Sequence, residues 1–270
     1  MSGARETQGF VPPVLAVPAV VGLALLIVPL GALVARAEWS TLWADITAPA
    51  AVDALWLSVR TGVIATAICL VLGVPLALLI ARSGPRVAGL LRALVTVPLV
   101  LPPMVGGVAL LYLFGRNGAL GQLLDAWLGI RVPFTTPAVV LAQTFVALPF
   151  LVLAVEGSLR TSGVAFERTA ATLGAGRWRI LWRITLPLAA PGLVAGTVLC
   201  FARAIGEFGA TALFAGNAPG VTQTMPLAIY TAFNGSGVGQ GTAVALSLLL
   251  LVTALTVLLL VRAWRPGAAR

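Results

Sequence analysis

The chain has 270 residues, of which 60% are hydrophobic and only 9% are charged, and its mean hydropathy is +1.05. Soluble domains carry about a quarter charged residues, so this composition excludes a soluble globular domain and predicts an all-α integral membrane protein. All 17 cationic side chains are arginine, and the sequence contains neither lysine nor histidine. Because a Walker A loop needs lysine, a standard ATP-hydrolysing site is excluded, as are histidine-based acid–base catalysis and histidine-ligated zinc.

Six apolar runs each approach the ~20 residues that a helix needs to cross ~30 Å of hydrocarbon. They lie at about residues 14–34, 55–81, 94–114, 137–155, 189–212 and 241–262. The third run is the least regular, since it contains Pro98, Pro102, Pro103 and the pair Gly106–Gly107. Such a cluster either lines a path or lets helices pack closely, because neighbouring helices or a cavity can satisfy the freed backbone groups. We therefore predict one six-helix transmembrane domain over residues 1–270.

The distribution of arginine predicts the orientation in the membrane. With the amino terminus inside, the inner segments hold twelve arginines: Arg5, Arg82, Arg86, Arg92, Arg160, Arg168, Arg177, Arg179, Arg183, Arg262, Arg265 and Arg270. The outer segments hold only Arg36, Arg60, Arg116 and Arg131. The positive-inside rule then predicts a multi-pass cell-membrane protein with both termini in the cytoplasm. Because the arginines are dispersed among short loops, the net charge of +9 does not indicate nucleic-acid binding.

Two features of the spans have competing interpretations. Residues 1–37 resemble a signal peptide, since Arg5 precedes the apolar run and the Ala35–Ala37 stretch resembles a cleavage site. We favour a retained helix, because the run exceeds the 7–15 residues of a typical signal-peptide core. Cys69 and Cys200 both fall within spans, which favours buried free thiols over a disulfide or a metal site.

The loop at residues 164–187 consists of two helical stripes separated by glycine. Phe166, Ala170 and Leu173 share one helical face, after which Gly174 and Gly176 interrupt the helix. A second stripe of Trp178, Leu181 and Trp182 follows, with arginines on a neighbouring face, and Pro187 suits the first turn of the next helix. From the pattern alone, this is an interfacial connector with snorkelling arginines.

The same loop resembles the EAA loop of ABC-importer permeases of type I, which have the MetI-like fold. The resemblance is carried by Glu167, Ala170, Ala171, Leu173, Gly174, Ala175, Ile184, Leu186 and Pro187. In its first positions the loop departs from the family, because Arg168 and Thr169 stand where Glu-Ala would stand and Glu167 comes one place earlier. The resemblance implies a coupling helix from Phe166 to Gly174 that docks onto a separate ATPase subunit, with Glu167 or Arg168 making polar contacts.

Arg203 and Glu207 are the only charged residues well inside a predicted span. They are four residues apart, so on one helix they share a face and can pair. Charged residues in hydrocarbon usually face a protein interior or a watery cavity. The pair is therefore either a structural ion pair or a feature of a translocation path or gate, together with Gly206, Phe208 and Gly209.

The stretch from Ala202 to Tyr230 resembles the signature of molybdate permeases, with sulfate and tungstate permeases as near relatives. Its matching groups are Gly206–Thr211, Ala215–Asn217, Pro219–Gly220 and Thr222–Thr224, and residues Leu113–Gly118 agree with the same pattern. In the outer loop, Asn217, Thr222, Gln223 and Thr224 offer polar groups for substrate or for a binding protein. A solvated loop without such a role explains these four residues equally well.

The resemblance, which covers about residues 55–262, implies the membrane subunit of a molybdate importer that works by alternating access. Two copies would form a homodimer in the lipid bilayer, two ATPase subunits would bind the cytoplasmic loops, and an external binding protein would deliver the anion. No cofactor, metal or catalytic residue is expected. Open alternatives are a permease for tungstate, sulfate or thiosulfate, and a secondary transporter that relies on Arg203 and Glu207 but leaves the loop unexplained. An integral-membrane enzyme would need a nucleophile, base or metal cluster, which the sequence does not show.

Overall fold

A computed structural model describes residues 13–235 and 240–263, and every regular element within these ranges is helical. A short 3-10 turn, Pro13–Leu15, precedes the first helix, and a π-helical turn, Leu181–Thr185, lies between the helices Arg177–Ile180 and Leu186–Ile205. The helices are α1 Ala16–Ala35, α2 Leu42–Thr47, α3 Pro49–Arg82, α4 Pro85–Val100, α5 Pro103–Phe114, α6 Ala119–Leu128, α7 Thr136–Ser162, α8 Ala165–Thr172, α9 Arg177–Ile180, α10 Leu186–Ile205, α11 Gly209–Phe214, α12 Met225–Asn234 and α13 Gln240–Ala263.

Four helical segments are long and apolar enough to cross a membrane: α1, α3, α7 and the continuous run Arg177–Ile205. They overlap the first, second, fourth and fifth predicted spans. In α13, which overlaps the sixth predicted span, the apolar part Gly241–Val257 is shorter. Within the described residues, the order of the membrane helices therefore follows the hydropathy pattern. Four helices qualify as spans, or five if the bent pair Pro85–Val100 and Pro103–Phe114 is counted as one, so the count of six stays a prediction.

The third predicted span, residues 94–114, is not one helix. Helix α4 ends at Val100, α5 begins at Pro103, and the two axes differ by 108°. The cause is the pair Pro102–Pro103: a residue before proline is pushed out of the α region, and neither proline has an N–H to continue the ladder. Leu101 and Pro102 accordingly have extended ψ values of 136° and 134°.

The fifth predicted span, residues 189–212, is also broken. Helix α10 ends at Ile205, and after Gly206–Phe208 the short helix α11 begins at Gly209. Gly206 leaves the helical conformation with ψ near 5°, and Phe208 has φ −123° and ψ −56°. Glu207 consequently lies in a break between helices rather than on the fifth helix with Arg203.

Helix α7 forms the centre of the bundle, because residues on several of its faces are buried. One face packs with α3 and α10 around Cys69, Leu151 and Cys200, and both cysteines are fully buried and free. Another face packs with α5 and α11 around Val139 and Phe214. The buried free thiols agree with the interpretation drawn from the sequence.

Small residues allow α7 and α10 to cross at close range. A Cβ added at Gly192 of α10 would lie 2.3 Å from Cβ of Ser158 and 2.7 Å from the carbonyl oxygen of Ala154. One of these contacts is to backbone, so the neighbouring helix would have to move to admit a methyl group. By contrast, a Cβ at Gly157 of α7 would meet no atom within 4 Å.

Gly192→Ala should therefore destabilise the protein, whereas Gly157→Ala should be neutral or slightly stabilising. Overpacking costs about 1–3 kcal/mol, while replacing an unobstructed helical glycine by alanine gains up to about 1 kcal/mol. Thermal unfolding of the two detergent-purified variants against the unmodified protein measures the difference. Equal melting temperatures for both variants would contradict the close crossing.

Candidate functional site

The loop predicted to be the coupling element contains a short helix with a well-formed end. Helix α8 is followed by Gly174 in the left-handed conformation, with φ +80°. The N–H of Gly174 donates to the carbonyl of Ala171 and that of Ala175 to the carbonyl of Ala170, each at 3.0 Å. These two bonds form a Schellman motif, in which the left-handed residue is usually glycine. Gly174 therefore sets the direction in which the chain leaves α8.

The apolar face of α8 is uncovered. None of its residues is buried, and Phe166 and Leu173 are 63% and 83% exposed. The next segment exposes Trp178 and Trp182 by 73% and 65%. Exposed large apolar side chains gathered on neighbouring elements are typical of a surface that contacts a partner or the membrane. Ala170 and Ala175 are half-buried in this loop, while Ala171 is exposed.

Glu167 and Arg168 occupy different environments. The carboxylate of Glu167 pairs with Arg82, the last residue of α3, and its Oε1 also accepts a 2.8 Å hydrogen bond from the hydroxyl of Thr185. Arg168 is exposed and has no ion pair in the part of the chain that the structure describes. Of these two residues, Arg168 is the one whose side chain is available to a partner, while the Glu167 side chain is bound within the chain. Pro187 lies in the first turn of α10, as its position in the sequence predicts.

Arg203 and Glu207 form an ion pair even though a helix end separates them. Nη2 of Arg203 lies 2.5 Å from Oε2 of Glu207, without hydrogen-bond alignment, and the side chains are 26% and 1% exposed. The other oxygen, Oε1, accepts the backbone N–H of Ala210 at 2.7 Å. A carboxylate in this position satisfies an unpaired N–H in the first turn of α11 and suits the positive end of its dipole. Glu207 therefore holds both α10 and α11 at the break.

The break in the fifth span lies directly against the break in the third. A Cβ at Gly209 would be 3.2 Å from the backbone nitrogen of Met104 and from Cβ of Pro103, and one at Gly107 would be 2.7 Å from the carbonyl oxygen of Ala210. Broken backbone at membrane depth is tolerated only where protein surrounds it or where it lines a water-filled cavity. The two interrupted spans thus bury each other's irregular backbone.

On its other side, the break at Gly206–Phe208 borders an open cavity of about 420 Å³. The Phe208 ring packs on the Tyr230 ring of α12 with centroids 5.1 Å apart. The cavity lining is almost entirely apolar, and Gly206, Phe208, Pro226, Ile229, Tyr230, Phe233, Asn234 and Leu250 contribute to it. Of the five residues predicted for a path or gate, Gly206 and Phe208 face this cavity, while Gly209 packs against α5.

Two of the four residues predicted to offer polar groups in the outer loop lie inside it in this structure. Thr222 and Thr224 are fully buried, and the Thr222 hydroxyl accepts the N–H of Ala218 at 2.9 Å. They therefore shape the loop from inside and do not present hydroxyl groups to a partner in this conformation. Asn217 is exposed and donates to Thr231 at 2.9 Å, and Gln223 is half-buried.

The structure adds contacts that sequence reasoning missed. Glu156, placed at the end of a span by hydropathy, has a side chain only 4% exposed and pairs with Arg92 of α4 and with Arg160, at 3.4 Å from the latter. Ser58 of α3 accepts the N–H of Met225 at 2.7 Å and so caps α12. These partners are separated by 64 and 167 residues along the chain, so only the Arg160 contact had a local signal, its i,i+4 spacing.

Comparison with known proteins places these features in a family. The family described as "Binding-protein-dependent transport system inner membrane component" matches residues 73–268. The Mycobacterium tuberculosis protein named "Molybdenum transport system permease protein ModB" is 52% identical over 249 residues, which cover 92% of this chain and 93% of that protein. The Escherichia coli K12 protein of the same name is 41% identical over 218 residues, covering 81% and 94%.

A chain of the crystal structure of a bacterial alginate ABC transporter, in complex with an alginate-bound periplasmic protein, shares the fold. The TM-score is 0.68 at 19% identity, with 92% of this chain and 91% of that chain covered. The expectation of an all-α membrane fold of the ABC-importer permease type is confirmed.

Removing one partner of the Arg203–Glu207 pair should be worse for assembly than removing both. Arg203→Ala leaves a buried carboxylate without its cation, at a cost of about 3–5 kcal/mol. Glu207→Ala also removes the cap of α11. Glu207→Gln should impair assembly less than Glu207→Ala, because its amide oxygen still accepts the N–H of Ala210. The double alanine variant should assemble better than the worse of the two single variants. Assembly is measured as the monodisperse fraction of the protein after purification.

Arg60→Ala is the control for the loss of one positive charge, because Arg60 is exposed and has no ion pair among the described residues. Strictly additive losses in the single and double variants would show that Arg203 and Glu207 do not stabilise each other.

Proposed function

The chain belongs to the family of binding-protein-dependent transport system inner membrane components, and from this premise we propose that it is the membrane permease of an ATP-driven molybdate importer. The observation that carries the substrate assignment is the relative named as a molybdenum transport permease, 52% identical across 92% of this chain. The oxyanion-type stretch from Ala202 to Tyr230 supports the same class of substrate. The chain itself performs transport and no covalent chemistry.

An ATPase subunit docks on α8 from the cytoplasm. The uncovered face of Phe166 and Leu173 supplies apolar contact area, and the exposed Arg168 supplies a charged group beside it. Orientation is supported by the twelve arginines on the same side of the spans as this loop. On the opposite side, an external binding protein delivers the anion near the outer loop that contains Asn217 and Gln223.

A second copy of the chain completes the pathway. Helix α1 is apolar throughout yet has no buried residue, so its whole surface is available to lipid and to another protomer. The cavity beside Phe208 is open to one side, so a single protomer does not enclose a path through the membrane. Two copies, each with one ATPase subunit, account for both observations.

Transport proceeds by alternating access, with the ion pair at the break beside the path. Arg203 attracts an oxyanion and Glu207 repels it, so together they present little net charge. A strong cationic cluster would hold an anion tightly, whereas a transporter has to release its substrate to the other side. We infer that selectivity resides chiefly in the external binding protein and that the pore offers a weak, transient path.

Gly174→Val should uncouple ATP hydrolysis from transport. A β-branched residue at φ +80° is strained by about 1–2 kcal/mol or more, which favours a different end to α8 and a misdirected loop. Gly176→Val is the matched control, because Gly176 has φ −67° and ψ 154°, an extended conformation that valine adopts freely. Uptake and ATP hydrolysis in proteoliposomes measure both variants, and normal uptake by an assembled Gly174→Val complex would refute the assignment.

Molybdate specificity is tested by calorimetric titration of the cognate binding protein with molybdate, tungstate and sulfate. We expect molybdate to bind at least as tightly as tungstate and far more tightly than sulfate. The purified permease alone, titrated in the same way, should bind none of the three with a submicromolar Kd. A sulfate-selective binding protein would overturn the substrate, and tight binding by the permease alone would overturn the division of roles.

A further inference from the structure

We propose that Glu167, together with Arg82 and Thr185, is the link through which a displacement of α8 reaches the membrane helices α3 and α10. We call these three residues the Glu167 link. The proposal rests on the proposed function, since it takes α8 to be the element that the ATPase moves. It assigns to Glu167 a role inside the permease and gives Arg82 and Thr185 a part in coupling.

Helix α8 is otherwise weakly attached to the bundle. It has no buried residue, and Gly163 and Gly174 flank it with φ +65° and φ +80°. The two hydroxyl groups of α8, on Thr169 and Thr172, donate hydrogen bonds to backbone carbonyls of α8 itself. Within the described residues, Glu167 makes the only side-chain polar contacts from α8 to the rest of the chain. Apart from the covalent connections of α8 to α7 and α9, the polar contacts that transmit a force from α8 to the bundle are therefore those of one carboxylate.

The carboxylate joins α8 to two spans at once, because Oε1 accepts from both Arg82 and Thr185. Arg82 is the last residue of α3, and Thr185 is the last residue of the π turn that continues into α10. From Thr185 to Arg203, α10 rises about 27 Å at 1.5 Å per residue. A rotation or shift imposed at the cytoplasmic end of α10 thus arrives at the Arg203–Glu207 break through one continuous helix.

The π turn places Thr185 where Glu167 can reach it. Each residue advances a helix by about 100°, so the wider turn at Leu181–Thr185 changes the phase between α9 and α10. Thr185 is 5% exposed and points inward, while Trp182 in the same turn is 65% exposed. The π turn is explained if the hydroxyl of Thr185 has to face α8.

The surroundings of the Glu167 link leave room for motion. A cavity of about 300 Å³ lies beside it, lined by Leu78, Arg82, Glu167, Arg177, Ile180, Leu181 and Thr185. The Arg82 and Glu167 side chains are 31% and 20% exposed, so the pair can break and re-form without stranding a charge in a dry interior. Such a contact suits an element that changes position during each transport cycle better than a rigid apolar contact does.

The test is a charge exchange in the permease–ATPase complex, reconstituted with its binding protein. Arg82→Glu and Glu167→Arg should each co-purify with the ATPase and still hydrolyse ATP, while molybdate uptake per ATP falls about tenfold, within the range usual for coupling between sites. The double variant Arg82→Glu/Glu167→Arg should return uptake per ATP to within about threefold of the unmodified complex. Arg86→Glu makes the same charge change four residues away, at an exposed arginine without an ion pair among the described residues, and should leave uptake unchanged.

Thr185→Val removes only one hydroxyl and replaces the charge-reversal variants if these do not fold. It should lower the rate of molybdate uptake more than the rate of ATP hydrolysis. The Glu167 link is refuted if Arg82→Glu transports as well as Arg86→Glu, if the double variant recovers nothing, or if Glu167→Arg fails only because the ATPase no longer binds. Failure of the unmodified complex to take up molybdate or to retain the ATPase would instead refute the proposed function.

Discussion

A carboxylate in an apolar interior needs a cation or several hydrogen-bond donors beside it, and this requirement organises the helices of the chain. Glu156, Glu167 and Glu207 each pair with an arginine, and each lies at or near a helix end. Glu156 joins α4 to α7, Glu167 joins α8 to α3 and to the start of α10, and Glu207 joins α10 to α11. Desolvation makes the loss of the arginine costly for Glu156 and Glu207, whose side chains are 4% and 1% exposed, so these two pairs specify which helix ends meet. The partly exposed Glu167 pair can break and re-form at a lower cost.

The second constraint is that irregular backbone within a membrane has to be covered by protein. The breaks at Leu101–Pro102 and at Gly206–Phe208 meet through Gly209, Pro103 and Met104, where a Cβ added at Gly209 would lie 3.2 Å from the backbone nitrogen of Met104. Glu207 satisfies an N–H at one break, and small residues allow the other helix to approach. The path proposed for the anion runs beside this discontinuity between α10 and α11 and beside the open cavity at Phe208.

Helix α10 connects the two regions that matter for transport. Its first residues follow the π turn and Thr185, next to the surface proposed for the ATPase, and its last turn carries Arg203. The close crossing of α7 at Gly192 holds the middle of α10 against the centre of the bundle. The ends of α10 therefore meet polar contacts, while its middle meets close-packed ones.

The sequence by itself determined the membrane class, the order of the spans, the predicted orientation, the end of α8 at Gly174 and the family. These properties depend on local composition, on hydropathy over about twenty residues, or on motif spacing, all of which can be read along the chain. Only the tertiary structure decided that Thr222 and Thr224 are buried, that Glu207 lies beyond the end of α10, and that Glu167 contacts Arg82 and Thr185. Those facts depend on contacts between residues far apart in the chain, such as Arg82 and Glu167 at a separation of 85 residues. Hydropathy records how apolar a segment is, but which helices pack together decides where a helix is allowed to break and which charges meet.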